Sequence, residues 1–269
     1  MNRYNNYSNP SYQICTAFAL HRRTFLEEEA WATLPFRNSP KTWMDRLLDI
    51  LSHLPGLWED INIHKFQPLS RTPVENRHHI EILTRQLRAW RKDWDLAHQY
   101  PASLAFRANT RTAKYGADKE LAMEVLQREI RFQTLDEALE ISAHHAAAIY
   151  LSRLTELTGH AQATLSFDVR QLRGYLFDTG QRPNSPLLQA DMMPAPWELA
   201  MEAIQISGYV ADELRRAAVP ELVPVAPLGI LYCAVKAMPI LGDHLSSAIS
   251  ARFSSRALTE LDVYGIWGE

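Results

Sequence analysis

One long segment constrains the fold of this 269-residue chain more than any other. Residues 134–158 are rich in alanine, leucine and isoleucine, and they are spaced as in a helix. Apolar side chains fall on most faces of that helix, and a helix that is apolar nearly all round is usually buried. We therefore expect residues 134–158 to form the central helix of the fold.

The remainder of the chain also has the pattern of an all-α protein. Apolar residues recur at helical spacing, and the strict alternation that is typical of half-buried strands is hard to find. Glycine is scarce, at 10 residues, while 46% of the residues are hydrophobic, which suits a sizeable core. The composition fits one large domain or two closely packed halves. We assign residues 11–269 to a single helical domain that follows a polar tail, residues 1–10.

Capping residues, prolines and glycines mark where the predicted helices begin and end. Ser39 and Pro40 are a typical helix start, as are Thr72 and Pro73. Residues 159–196 hold several prolines and glycines and are predicted to be a loop-rich connection with one short helix. The predicted helices span residues 11–32, 40–54, 72–96, 117–132, 134–158, 167–177, 196–218, 228–238 and 240–261.

The helix predicted over residues 72–96 is amphipathic. Its apolar face consists of Ile80, Leu83, Leu87, Trp90 and Trp94. Its basic residues, which we expect to face solvent, are Arg85, Arg88, Arg91 and Lys92.

Charge and hydropathy argue against several classes of protein. The formal net charge is −3, so direct nucleic-acid binding is not expected. The uncharged, largely apolar stretch over residues 222–235 contains two prolines and is shorter than the roughly 20 residues that cross a bilayer, so no membrane span is expected. The polar N-terminus lacks the apolar segment of a signal peptide. Because Cys15 and Cys233 also fit a reducing compartment, we expect an intracellular, cytoplasmic protein.

Three stretches of the chain carry motifs in a recognisable order. The first reads FALHRRTFLEEEAWATLPF over residues 18–36 and continues as SPKTWMDRLLDILSHLPGLWEDI over residues 39–61. The second reads ISAHHAAAIYLSRLTEL over residues 141–157. The third runs from PWELAMEAIQISGYVADEL at residues 196–214 to PLGILYCAVKAMPIL at residues 227–241. In this order and spacing they resemble the C-terminal regulatory region of fungal binuclear zinc-cluster transcription factors.

That resemblance implies an all-helical fold. It also implies a hydrophobic pocket between helices, because similar domains in some fungal regulators bind a sterol-like ligand there. The resemblance does not extend to the DNA-reading part, since a binuclear zinc cluster needs six closely spaced cysteines. This sequence has only Cys15 and Cys233. We therefore expect neither a metal site nor a DNA-binding module in these residues.

Two adjacent histidines, His144 and His145, are the most notable polar residues of the predicted central helix. Neighbouring helical residues point about 100° apart, so the pair is poorly placed to chelate one metal ion. In so apolar a helix at least one of them is expected to face the interior, where a neutral imidazole needs a hydrogen-bond partner. Two interpretations stay open. Either the two histidines are structural residues bonded to backbone or to a tyrosine, or they are polar groups of a ligand pocket.

Four further residues are candidates for the same pocket. Tyr232 and Lys236 are four residues apart, hence on one face of an otherwise apolar predicted helix. The lysine either polarises a substrate carbonyl or extends its amine to the surface. Trp197 and Tyr209 either line the cavity or belong to the core.

The function that we favour from sequence is a stand-alone domain that binds a hydrophobic polycyclic or polyene molecule, terpenoid or polyketide-like. The chain has no common catalytic signature, so we assign neither a catalytic residue nor a cofactor. Cofactor-free cyclisation, such as a Diels–Alder addition in fungal secondary metabolism, fits such a chain. It needs mainly proximity and orientation, with one or two donors on a carbonyl.

The alternative function is a ligand-sensing regulatory domain of a zinc-cluster transcription factor, which would be nuclear. A helical interaction module without a ligand is a third interpretation. The oligomeric state, with a homodimer as one outcome, stays open.

Overall fold

The computed structural model describes residues 10–64, 72–98, 102–106, 117–159, 169–177, 186–189, 194–217, 225–236, 238 and 242–252. Helices make up most of these residues, and one two-stranded sheet accompanies them. The all-α prediction is confirmed. No helix in the described part of the chain is both long enough and apolar enough to cross a membrane.

The contacts divide the chain into two compact units. Unit 1 comprises residues 1–94 and 150–163, and unit 2 comprises residues 95–149 and 164–269. The assignment of residues 11–269 to one domain stays a prediction.

Unit 1 is a group of helices from the first part of the chain. It contains α1 (Pro10–Leu20), α2 (Glu29–Thr33), α3 (Trp43–Leu51), α4 (Leu54–His64) and most of α5 (Pro73–Ala97). Short 3-10 helices, Phe25–Glu27 and Leu34–Phe36, flank α2. The last part of α7 (Leu135–Leu157) also belongs to this unit.

The helix predicted over residues 11–32 is wrong in its second half, because α1 ends well before residue 32. His21 has a φ of 50°, a left-handed conformation that is typical of a helix end. Beyond it, charged contacts with α4 hold the chain. The Arg23 guanidinium donates to both carboxylate oxygens of Asp60 at 2.8 Å and forms an ion pair with Glu27. These contacts stabilise an irregular connection in place of a continuous helix.

Two predicted boundaries near proline are also wrong. α3 begins at Trp43 rather than at Pro40. The reason is a capping box, in which Thr42 Oγ1 accepts from Asp45 N at 3.1 Å and Asp45 Oδ2 accepts from Thr42 N at 2.9 Å. Pro55 does not end a helix but lies in the first turn of α4, where the N–H that proline lacks would have no helical acceptor.

The amphipathic helix predicted over residues 72–96 is confirmed as α5, with one exception. Its five predicted apolar residues are all buried. Arg91, predicted to face solvent, is buried instead, with its guanidinium carbon 5.8 Å from the centroid of the Trp94 ring. A long arginine side chain can bury its stem and stack its head on an indole, which explains the difference.

Tyr150, near the C-terminal end of α7, lies in the core of unit 1. It packs edge-on against Phe18, with ring centroids 5.1 Å apart. Its hydroxyl has no hydrogen-bond partner in the part of the chain that the structure describes. Burial raises the pKa of the phenol far above its usual range.

Replacing Tyr150 with phenylalanine is expected to leave the free energy of unfolding unchanged or to raise it by up to about 1 kcal/mol, because the buried hydroxyl makes no bond. The gain in the free energy of unfolding of the variant relative to wild type should grow at alkaline pH. The unfolded phenol ionises near pH 10, whereas the folded phenol stays protonated, so stability falls as the pH rises above about 10. Urea unfolding at pH 7 and pH 10.5 tests both points. A decrease of more than about 1 kcal/mol in the free energy of unfolding at pH 7 would contradict the first.

Unit 2 is arranged around a long buried helix. It contains β1 (Ala102–Phe106), α6 (Ala117–Gln127), β2 (Arg128–Phe132), the first part of α7, α8 (Val169–Phe177), α9 (Pro196–Ala217), α10 (Val225–Lys236) and α11 (Gly242–Arg252). Nearly every residue of α9 from Trp197 to Ala211 is buried. α9 packs against β2, α6, α10 and α11. α7 is buried over much of its length as well, so the burial predicted for residues 134–158 is confirmed.

One predicted helix of unit 2 is in fact a helix followed by a strand. Residues 117–132 divide into α6 and β2, and β2 pairs antiparallel with β1 from Ala102↔Phe132 to Phe106↔Arg128. Within β2, Ile130 and Phe132 are buried, and Arg131 between them is exposed. This short alternation fits a sheet that is covered on one face.

The other predicted helices of unit 2 agree with α7, α8, α9 and α10 to within about three residues at each end. α11 covers the first part of the helix predicted over residues 240–261, and residues 253–261 lie outside the described residues. Much of the predicted connection over residues 159–196 also lies outside them.

Candidate functional site

An open groove between α3 and α5 in unit 1 is large enough for a small ligand. Its volume is about 310 Å³, near the lower end of the roughly 300–1,000 Å³ that is usual for ligand pockets. α3 and the turn after it form one wall, and α5 forms the other. The lining residues, which we call the tryptophan groove, are Trp43, Arg46, Asp49, Ile50, His53, Gln86, Trp90 and Asp93.

Spacing along each helix brings these residues to the groove. On α3, positions 43, 46 and 50 are three and four residues apart, and on α5, positions 86, 90 and 93 are four and three apart. Residues at these intervals lie on the same helix face. The groove is therefore the meeting of two helix faces, each with one tryptophan.

Three tryptophans fix the apolar part of the groove. The Trp43 and Trp90 rings meet edge to face, with centroids 6.2 Å apart, and Trp90 stacks on Trp94 at 6.4 Å. Trp90 Nε1 also donates to the Trp43 carbonyl oxygen at 3.0 Å. These contacts hold the indoles in place without a ligand, and such preorganisation lowers the entropic cost of binding.

The polar residues of the tryptophan groove carry both signs of charge. The Arg46 guanidinium carbon lies over the Trp43 ring, 5.0 Å from its centroid. Asp49 forms an ion pair with Lys41. The His53 ring packs edge-on against His79. The groove therefore combines two indoles and Ile50 with charged and hydrogen-bonding groups, which make up most of its lining.

A second polar cluster is buried in unit 2, and we call it the histidine–glutamate chain. His145 Nε2 lies 2.7 Å from Glu202 Oε1, and the His144 and His145 Nδ1 atoms are 3.2 Å apart. The other carboxylate oxygen, Glu202 Oε2, accepts from the main-chain N–H of Leu188 at 2.6 Å. The His145 and Glu202 side chains are both 0% exposed. α7, α9 and the segment over residues 186–189 thus meet at one carboxylate.

One role is fixed, because the main-chain N–H of Leu188 can only donate. Glu202 as a carboxylate accepts from Leu188 and from His145 Nε2. The Nδ1 atoms of His144 and His145 share a further hydrogen bond, in which one nitrogen donates and the other accepts. A carboxylate and an imidazole that are both fully enclosed satisfy one another, and we interpret the chain as a structural link inside unit 2.

The structure brings together only some of the sequence-predicted site residues. His144 and His145 touch one another, but the partner of His145 is Glu202 rather than the predicted backbone group or tyrosine. Trp197 is buried and packs edge-on against Tyr175, with centroids 5.7 Å apart. These contacts place them in the packing of unit 2.

The remaining predicted residues also belong to unit 2. Tyr209 packs against Phe132 at 6.2 Å, and burial, with the nearby charge of Glu213, raises the pKa of its phenol. Tyr232 is half-buried in α10. The backbone of Lys236 ends α10, and its side chain lies outside the described part of the structure. Their roles in a ligand pocket stay predictions.

No group of three or more histidine, cysteine, aspartate or glutamate side chains could hold a metal ion within the described ranges. In the histidine–glutamate chain, both His145 nitrogens are engaged in hydrogen bonds, one with His144 Nδ1 and one with Glu202 Oε1.

The tryptophan groove was not predicted from the sequence. Trp43 and Trp90 belong to two separate predicted helices, and no local pattern indicates that the two helices lie side by side. The available signal was the mixture of indole and charged residues at one helix face, at intervals of three and four. That signal becomes informative only when α3 and α5 are known to lie side by side.

Comparison with known proteins finds no family model, no curated protein and no solved structure that matches this chain. Function is therefore inferred from the side chains of the tryptophan groove.

Proposed function

We propose that this protein binds a flat, largely apolar small molecule in the tryptophan groove. The observation that carries the proposal is a 310 Å³ groove with two indoles and charged groups around them. Aromatic side chains supply a large apolar contact area in a fixed geometry. The polar groups then orient the ligand, and the stacked tryptophans keep the site formed in its absence.

We propose further that the bound molecule is a polycyclic or polyene compound that undergoes cofactor-free cyclisation. In a pericyclic addition the new carbon–carbon bonds form at the expense of π bonds, so no oxidant, reductant or leaving group is needed. A groove that holds two reacting ends together supplies proximity and orientation. Ligand binding is also the first step of the regulatory alternative, and turnover distinguishes the two functions. The relation to zinc-cluster regulators stays a prediction.

The binding proposal is tested with the fluorescent probe N-phenyl-1-naphthylamine. Trp43→Ala is expected to weaken its binding about tenfold or more, because one aromatic wall is lost. Trp31→Ala is the matched control, since Trp31 is an exposed tryptophan of unit 1 outside the groove, 47% accessible. The measurement is probe titration by fluorescence, with circular dichroism to verify that both variants fold.

Each variant lacks one tryptophan, so both variants lose the same number of intrinsic fluorophores. Equal affinities for wild type, Trp43→Ala and Trp31→Ala would reject the groove as the binding site. The cyclisation proposal has its own test, in which a linear polyene with an unsaturated carbonyl is incubated with the protein. A rate and a product ratio equal to the protein-free control would reject cyclisation and leave binding intact.

A further inference from the structure

Arg46 contributes to the tryptophan groove a guanidinium whose N–H groups can donate hydrogen bonds to a ligand. Its side chain is exposed, and its guanidinium lies over the Trp43 ring. A cation–π contact of this kind restrains the guanidinium and leaves its N–H groups available for hydrogen bonds. An arginine held in this way has lost part of its rotamer freedom before any ligand arrives.

The acidic neighbours of Arg46 on α3 are engaged elsewhere. Asp45 accepts from the main-chain N–H and the hydroxyl of Thr42, and Asp49 pairs with Lys41. Among the residues that the structure describes, neither a hydrogen bond nor an ion pair occupies the Arg46 guanidinium. A fixed cation with unused donors beside an apolar floor matches an oxygen anion attached to an apolar body.

We infer that Arg46 is the subsite for an anionic oxygen of the ligand, so that the tryptophan groove selects a flat apolar molecule with one acidic group. This inference rests on the proposed function of the groove. The acidic group is a carboxylate, a sulfonate or an enolate, all of which present oxygens to the planar N–H groups of arginine. Asp93, also in the groove, adds a negative charge that disfavours a second acidic group on the ligand.

Two probes with nearly the same ring system separate this inference from the proposed function. 1-Anilinonaphthalene-8-sulfonate carries a sulfonate, and N-phenyl-1-naphthylamine lacks it. Wild-type protein is expected to bind the sulfonate about tenfold more tightly at low salt. Arg46→Met should abolish that preference, because only the sulfonate depends on the guanidinium, and the ratio of the two affinities is the readout.

Two more variants, Arg46→Lys and Arg88→Met, test whether the planar donors and the position of the arginine matter. Lysine keeps the charge but loses the planar set of donors, so it should restore only part of the preference. Arg88 is an exposed arginine of α5 that does not line the groove, and its replacement should leave the preference intact. The preference should also shrink as salt is raised toward 0.5 M, since exposed charges are screened.

The outcomes distinguish the two claims. If Arg46→Met keeps the preference for the sulfonate, or if Arg88→Met lowers it equally, the subsite at Arg46 is rejected while binding in the groove stands. If neither probe loses affinity in Trp43→Ala, the groove itself is rejected. Circular dichroism of Arg46→Met guards against misfolding, and Arg46→Lys provides a second variant if the methionine variant does not fold.

Discussion

Replacing Glu202 with alanine is expected to lower the free energy of unfolding by about 3–5 kcal/mol, because two buried polar groups lose their hydrogen-bond partner at about 1–3 kcal/mol each. The substitution leaves the buried His145 ring and the Leu188 N–H without their acceptor. It also opens a void beside α7. Urea unfolding measures the loss, and hydrogen exchange of the Leu188 amide reports on the bond itself, so that exchange should accelerate.

Two variants serve as controls for this prediction. Glu202→Gln keeps the shape and one acceptor, so a smaller loss of about 1–2 kcal/mol is expected. Glu213→Ala removes a carboxylate from the same helix, but its partner Arg216 is largely exposed, so its loss should stay below about 1 kcal/mol. A loss in Glu202→Ala no greater than in Glu213→Ala, with unchanged exchange at Leu188, would contradict the structural role of the chain.

Replacing Trp94 with alanine is expected to cost about 3–5 kcal/mol, as is typical for a large aromatic removed from a core. The Trp94 ring is 0% exposed, and it supports Trp90 by stacking and Arg91 by a cation–π contact. Because Trp90 is part of the tryptophan groove, the affinity for N-phenyl-1-naphthylamine should fall as well.

The matched comparison is Trp31→Ala, which removes the same side chain from a site that is 47% exposed. That variant should lose less, about 1–2 kcal/mol, since roughly half of the Trp31 ring is already in water. Urea unfolding of both variants, followed by circular dichroism, gives the two free energies. Similar values for Trp94→Ala and Trp31→Ala would be incompatible with the stacked floor of the groove.

Helices with a clear apolar period were predictable from the sequence alone. The apolar stripe of α5 and the nearly continuous apolar surface of α7 are local patterns, and both helices form where the patterns lie. Boundaries were less predictable. The capping box of Thr42 and Asp45 overrides the Ser39–Pro40 signal, and the Arg23 contacts that replace the second half of the first helix involve Asp60, far along the chain.

The strand β2 could not be predicted from the sequence, for a different reason. Arg128–Phe132 follows α6 directly, and a five-residue alternation is too short to outweigh a helical interpretation. Its hydrogen bonds go to β1, which precedes α6 in sequence. That pairing and the packing against α9 favour the strand, and neither long-range contact has a local signature.

The candidate sites depend on contacts between distant residues. The hydrogen bond from Trp90 to Trp43 joins residues 47 positions apart, and that between His145 and Glu202 joins residues 57 apart. The sequence indicated that a histidine of α7 would be buried, but it could not name the partner. Glu202 was detectable in principle, because it interrupts an otherwise apolar run in α9.

The central claim is that the tryptophan groove is a ligand site, and the most direct measurement is made on the tryptophan side chains themselves. The chain has 7 tryptophans, whose indole N–H groups give separate signals in a ¹⁵N–¹H correlation spectrum and can be assigned by single substitutions. Titration with N-phenyl-1-naphthylamine should shift the signals of Trp43 and Trp90 in a saturable manner and leave that of Trp31 in place. Saturable shifts that spare Trp43 and Trp90, or the absence of any shift, would contradict the assignment of the groove.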